Sequence, residues 1–277
     1  MKNLAKATLC GVYKYSGAMF AQEAMSRLAG RPFMAVLLFH RVTDAIPPDG
    51  LTVGTRHFRN ICNLLRRGFH VVPLSEIFRI VKEKAPVPRR TVAITFDDCY
   101  RDNLFAARTL AEFGLPASFF VPTGYVGTDA VFDWDKHLPR MPNLSWDDVQ
   151  EMSRLGFEIG SHTVTHANMA TVPLEQARRE LIDSKKTLED KLGRPVRWLA
   201  YPYGAKANFQ VDRLPLLAEA GYEACMSGYG GFVFPHLNEP ILPRVPVPEF
   251  RSLLNLELHL TGCLQWLYAI KRQAGMM

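Results

Sequence analysis

A chain of 277 residues that is 48% apolar and 22% charged can bury a substantial core, which excludes intrinsic disorder and fits one large α/β domain. Its five cysteines (Cys10, Cys62, Cys99, Cys225, Cys263) are scattered and form no Cys-x-x-Cys pair, so neither a disulfide framework nor a thiolate metal site is indicated. The net charge of +6 comes without a dense basic run, and no nucleic-acid partner is expected.

Residues 1–32 are expected to form an N-terminal helical segment, with Lys2, Lys6, Lys14, Arg27 and Arg31 set against Glu23. Lys14 interrupts the first apolar run after about seven residues, at the short limit of a secretion signal, so a cytoplasmic location is the expectation. Buried strands are predicted at Phe33 to Phe39, Thr91 to Phe96, Ala117 to Val121, Phe157 to Ile159, Val196 to Ala200 and Tyr222 to Met226. Helical patterns intervene at Asn103 to Phe113, Ser145 to Leu155 and Leu174 to Leu192. Ile241 to Val247 is a further short apolar run, interrupted by Arg244. From Leu253 to Ile270, leucines recur at helical spacing, but Asn255, Glu257, His259 and Gln265 rule out a membrane span. An amphipathic C-terminal helix over 251–277 is expected instead, docked on the core or lying on a membrane surface. Basic charge at both ends suits either an anionic membrane face or a solvated surface.

Alternating strands and helices predict a parallel sheet covered by helices, open or closed into a barrel, over residues 33–250. Polar groups then collect at strand ends. His40 follows the first strand, Asp97 and Asp98 the second, His162 the fourth, and Tyr201-Pro202-Tyr203-Gly204 the fifth. Carboxyl ends of parallel strands converge on one face, where sites of this fold class form.

Two adjacent carboxylates at the end of a buried strand repel unless a cation or several donors compensate them. In Ser161-His162-Thr163-Val164-Thr165-His166 two imidazoles lie four residues apart, a spacing that on a helical turn brings them to one face and suits a divalent ion. One aspartate with two histidines makes an open three-ligand metal site, leaving the second aspartate as a base. Taken singly, the pair of acids is more often a helix cap and the histidines surface residues.

Together, Thr95-Phe96-Asp97-Asp98, Ser161-His162-Thr163-Val164-Thr165-His166 and Tyr201-Pro202-Tyr203-Gly204 resemble the polysaccharide deacetylases of carbohydrate esterase family 4. The resemblance covers about Val36 to Val247. It implies a distorted (β/α) barrel that removes N-acetyl groups from an N-acetylated poly- or oligosaccharide or lipid-linked sugar. By matching position, Asp97 is the implied general base and Asp98, His162 and His166 the implied ligands of a divalent metal ion. Zinc is the expected ion, with cobalt, nickel and iron also suited to this donor set. Tyr203 is implied to offer its backbone N–H to the oxyanion. His40 matches the acid histidine of a branch in which that residue precedes the Asp-Asp motif, and His259 is the competing candidate.

Two positions depart from the family pattern: Cys99 stands where glycine is usual, and Ala200 where many relatives have arginine. Cysteine is strained if that turn needs φ > 0. Arg244, in a Leu-Pro-Arg segment seen in the same branch, is a candidate to steady Asp97 in the absent arginine's place. Tyr100, Trp134, Tyr201 and Tyr203 are candidate sugar contacts, while Asp133 and Asp135 are read as a solvated loop. Other chemistries stay open at this stage: an O-acetyl esterase, another C–N hydrolase, or an inactive saccharide-binding relative. The oligomeric state is not legible.

Overall fold

The computed structural model describes residues 32–262 except 210, 230 and 236–240, together with residues 16, 17, 21 and 24. Almost all of the expected N-terminal helical segment, and the C-terminal stretch beyond 262, lie outside the described residues. In chain order the elements are β1 (Ala35–Phe39), β2 (Arg41–Val42), β3 (Thr52–Val53), α1 (Thr55–Gly68), β4 (His70–Val71), α2 (Leu74–Glu83), β5 (Thr91–Phe96), α3 (Asp102–Phe113) and β6 (Ser118–Val121). They continue with α4 (Trp146–Arg154), β7 (Glu158–Ser161), α5 (Leu174–Leu192), β8 (Trp198–Ala200), α6 (Leu214–Glu219), β9 (Ala224–Met226), β10 (Ile241–Leu242), β11 (Val245–Pro246) and α7 (Leu253–Leu260). Helices α1 and α2 add to the elements expected from the sequence. Phe58, Ile61, Cys62 and Leu65 bury one face of α1, and Leu74, Ile77 and Ile80 one face of α2.

The main sheet is parallel, in the order β10-β9-β8-β7-β6-β5-β1-β11, with β4 also paired to β5. Its two end strands, β10 and β11, are separated in sequence only by Pro243 and Arg244. That link reaches at most about 11 Å, whereas a flat sheet of eight strands would hold its edges about 34 Å apart. The sheet therefore curls into a distorted β/α barrel whose seam lies at Arg244.

Alternation along the strands separates two cores. Leu37, Phe39, Ile94, Phe96, Phe119 and Val121 pack outward with helix residues such as Phe58, Leu110 and Leu181. Val36, Ala93, Phe120, Trp198, Ala200 and Met226 pack with Leu74, Ile77 and Ile80 of α2. The Leu74 and Ser75 N–H groups donate to the Glu158 carboxylate at the first residue of β7. Helix α2 thus closes the amino end of the barrel and leaves the carboxyl ends open. Helix α7 is docked, with Leu256 and Leu260 in the outer core. Among the described residues no helix is long and apolar enough to cross a membrane.

Candidate active site

The Asp97 N–H still donates to Phe39 O at 3.0 Å, extending the ladder between β1 and β5 by one residue. The chain then turns sharply, with φ of +75° at Asp98 and +53° at Cys99. Such angles at residues other than glycine cost on the order of 1–3 kcal/mol each and persist only where the surroundings fix them. Here Leu144 N–H holds Cys99 O at 2.9 Å. Cys99 itself is buried, and burial followed by the Asp98 charge pushes its thiol well above the ordinary value. It is a packed, unreactive thiol in a glycine-like turn.

One oxygen of Asp98 lies 3.3 Å from Nε2 of His162 and 3.3 Å from Nε2 of His166, with all three side chains buried. No hydrogen bond of ordinary geometry satisfies that oxygen. Donors about 2.0 Å from a shared tetrahedral centre stand about 3.3 Å apart, so the spacing and the donor types fit a divalent ion. His162 Nδ1 donates to Ala200 O at 2.6 Å, which fixes the tautomer and turns the Nε2 lone pair toward Asp98. Burial alone would raise the Asp98 carboxyl, but the two imidazoles set against it hold it well below its usual range. Burial likewise lowers His162, yet the charge of Asp97 and its contact with Asp98 leave it raised. The pocket attracts positive charge, as a cation site must.

The two histidines lie on a loop and not on the helical turn their spacing suggested, and that loop is held from behind. Thr163 and His166 have φ of +66° and +56°. Glu180, buried on α5, accepts the Val164 and Thr165 N–H groups at 2.8 and 2.9 Å and the Thr165 hydroxyl at 2.6 Å. Ser184, one turn later, meets Ser161 Oγ at 2.7 Å. Glu180 was not legible in the sequence, because a glutamate inside a helical run carries no mark of what it faces.

Arg244 is fully buried and grips Asp97 with both arms, Nη1 to Oδ1 at 2.8 Å and Nη2 to Oδ2 at 2.6 Å. Two further donors go to Thr95 Oγ1 at 3.2 Å and Ser227 O at 2.5 Å. Burial pushes the Asp97 carboxyl up, but the Arg244 charge, then that of His162 and the guanidinium bonds, leave it below the ordinary value. The arginine missing at Ala200 is thus replaced, in geometry, from the seam of the barrel.

His40 faces the same groups. Burial lowers its pKa against the raising charges of Asp98 and Asp97, and its Nδ1 is covered without a partner while the residue as a whole is only part-buried. His259 packs elsewhere, its ring 5.1 Å from Phe232 and 4.9 Å from Phe250, with burial pushing it down to about 4.

Tyr203 has φ of +63° and a half-exposed ring 5.0 Å from His166 and 5.9 Å from Trp134. Gly204 beside it also has positive φ, and a Cβ there would lie 2.3 Å from the Gly228 backbone, so only glycine fits. Two of the expected sugar contacts are not available. Tyr201 is buried with its hydroxyl on Gly204 O at 2.9 Å, and Tyr100 is buried with its hydroxyl on Asp135 at 2.5 Å. Tyr100 lies two residues past Asp98 and Tyr201 opens the Tyr-Pro-Tyr-Gly motif, but the chain turns both rings into the protein. Asp135 is likewise not in a solvated loop: it is buried and paired with Arg41 at 2.5 Å, while Asp133 is exposed and paired with Lys136.

This fold and this constellation define a polysaccharide-deacetylase-type site. The polysaccharide deacetylase family model matches residues 84–225, just over half of the chain, and the chain belongs to that family. It is 27% identical over 183 residues to the poly-β-1,6-N-acetyl-D-glucosamine N-deacetylase of Staphylococcus aureus, a match covering 62% of this chain and 59% of that protein. The chain thus spans about three fifths of that relative's length. Among solved structures, IcaB from Ammonifex degensii is similar with a TM-score of 0.69 and 22% identity, over 83% of this chain and 97% of that one. The Streptococcus pyogenes deacetylase PplD, solved in complex with acetate, gives a TM-score of 0.67 and 21% identity over 78% and 92%. These two establish the distorted barrel.

Proposed function

We propose that the protein is a zinc-dependent hydrolase that removes N-acetyl groups from an N-acetylated saccharide during exopolysaccharide synthesis or modification. The observation that carries this reading is the convergence of Asp98, His162 and His166 beside an Asp97 clamped by Arg244. Asp98, His162 and His166 would hold a divalent ion, which would supply Lewis acidity to a carbonyl oxygen and lower the pKa of a water molecule. Asp97, kept ionised and in one orientation, takes the proton of the attacking water on a carboxylate oxygen. The Tyr203 N–H, free of a hydrogen bond among the described residues, is available to the oxyanion of the tetrahedral intermediate. His40 gives the leaving nitrogen its proton. The covered Nδ1 leaves Nε2 as the outlet for that proton. Exposed Tyr203 and part-exposed Trp134 wall the approach and supply apolar faces for sugar rings.

The S. aureus relative's name supports a β-1,6-linked N-acetylglucosamine polymer as the substrate class. The acting location is proposed to be the cytoplasm or the inner membrane face, on the strength of the basic residues in the first thirty positions. The test is acetate release by the zinc-loaded chain from oligomers of β-1,6-N-acetylglucosamine and from acetylated chitooligosaccharides. Asp97→Asn should retain zinc and lose acetate release by at least about 100-fold. Release from an O-acetylated sugar alone, or saccharide binding with no release, overturns the assignment.

A further inference from the structure

Behind the aspartate loop lies a second buried charge cluster that the chemistry above does not use. Arg41, next to His40 in sequence, is 1% exposed. Its Nη1 donates to Asp135 Oδ1 at 2.5 Å, Nη2 to Asp49 Oδ2 at 2.9 Å and Nε to Thr52 Oγ1 at 2.9 Å. The guanidinium lies 5.3 Å from the centre of the Tyr100 ring, two residues past Asp98. The Tyr100 hydroxyl donates its single proton to Asp135 Oδ2 at 2.5 Å, which leaves its lone pairs to accept Trp134 Nε1–H at 3.2 Å. Asp49 and Thr52 anchor Arg41 on one side, while its bond to Asp135 and the Tyr100 bonds to Asp135 and Trp134 tie the strand end after His40 and the turn after Asp98 to the loop that carries Trp134.

Trp134 is where this chain of bonds meets the site. Its ring is stacked on Phe132 at 4.6 Å, and Phe132 on Tyr125 at 4.1 Å. Its remaining ring contacts are with His166 at 5.0 Å and Tyr203 at 5.9 Å. A buried guanidinium is tolerated only when its donors are matched, and its rigid planar fork constrains where those partners can sit. Surface burial could have been filled here by hydrophobic side chains. The charges instead define one position for a short loop.

We infer that Arg41, Asp135 and Tyr100 form a clamp of positioning residues that sets Trp134 as a fixed wall beside the metal ligands, and so controls saccharide affinity. The inference rests on the saccharide reading of the preceding section. The three clamp residues themselves touch no substrate.

The test uses the full-length zinc-loaded chain, an acetylated β-1,6-glucosamine tetramer, and the variants Tyr100→Phe, Trp134→Ala and both together. Tyr100→Phe removes only the hydroxyl that joins Asp135 to Trp134. Loss of one such hydrogen bond predicts a KM raised about 3- to 10-fold with kcat within about 2-fold, and zinc content unchanged. Trp134→Ala should raise KM at least as much. Because Tyr100 acts through Trp134, the double variant should match Trp134→Ala alone. Multiplying effects, or a fall in kcat at constant KM, mean that Tyr100 only supports the fold and overturn the clamp. If Tyr100→Phe does not accumulate, Trp134→Phe at its part-exposed position breaks the same bond from the other end, and an unchanged KM there overturns the clamp. Calorimetric titration of the tetramer keeps the two readings apart. A wild type that binds the tetramer without releasing acetate refutes the deacetylase assignment and leaves the clamp to be judged on Kd with the same variants. A wild type that does not bind it refutes both.

Discussion

Replacing Arg244 by lysine isolates geometry from charge. The lysine keeps one positive charge in the buried seam, so the Coulombic support of Asp97 largely remains, but the two-armed grip at 2.8 and 2.6 Å cannot be made by a single ammonium. At least one charge-assisted bond to Asp97 is lost, worth about 1.5–3 kcal/mol. If that bond holds the base in its working orientation, the loss falls on the transition state, and kcat drops about 10- to 150-fold at 1.36 kcal/mol per tenfold. Zinc content should stay at one per chain, because Asp98, His162 and His166 make no bond to Arg244. The thermal midpoint should fall modestly, since Ser227 O also loses its partner at 2.5 Å. The assay is steady-state acetate release with metal content and melting measured on the same preparation. Near-normal kcat with full zinc occupancy would refute the clamp on Asp97, and equal loss of zinc and activity would move Arg244 into the metal site's support.

Glu180→Gln exchanges a carboxylate that receives three bonds from the histidine loop for an amide with one acceptor, and should weaken zinc binding about 10- to 100-fold in a chelator competition. Unchanged affinity would show that the loop holds its shape unaided. Asp102 supplies a pH test. Burial pushes its carboxyl up to about 6, its Oδ2 has no partner, and its Oδ1 is held by Val42 N–H and Asn103. The folded chain then keeps a proton that the unfolded chain releases near pH 4, so stability declines as pH rises from about 4 to 6. Asp102→Asn removes that penalty and should stabilise the protein by about 1–3 kcal/mol at pH 8 and by little at pH 4. An equal effect at both pH values in denaturant titrations would contradict it.

What could be read from the sequence was set by distance along the chain. Asp97 with Asp98, and His162 with His166, are local pairs at strand ends, and the period of the strands says which way those ends point. The strands themselves were legible because their apolar runs are buried on both faces. Arg244 pairs with a residue 147 positions away, so its type and strand-end place could be read but not its target. Arg41 and Asp135 are 94 positions apart, and the charge pattern around Trp134 looks the same whether the loop is solvated or folded inward. Tyr100 and Tyr201 show the converse failure. Proximity in sequence to a motif says nothing about side-chain direction once the backbone takes positive φ, as it does at Asp98 and Cys99 just before Tyr100.

The seam links closure of the barrel to its chemistry. Pro243 and Arg244 are the only residues between the two edge strands, so the backbone at 244 is fixed by the curl of the whole sheet. From there the guanidinium reaches Thr95 and Asp97 at the end of β5 and Ser227 just past β9, spanning the barrel interior above Phe120. The segment 241–246 pairs with β9 at one end and with β1 at the other, so Arg244 sits where the chain crosses from one edge of the sheet to the other. That link therefore places the Arg244 guanidinium against Asp97, the base in the proposed reaction.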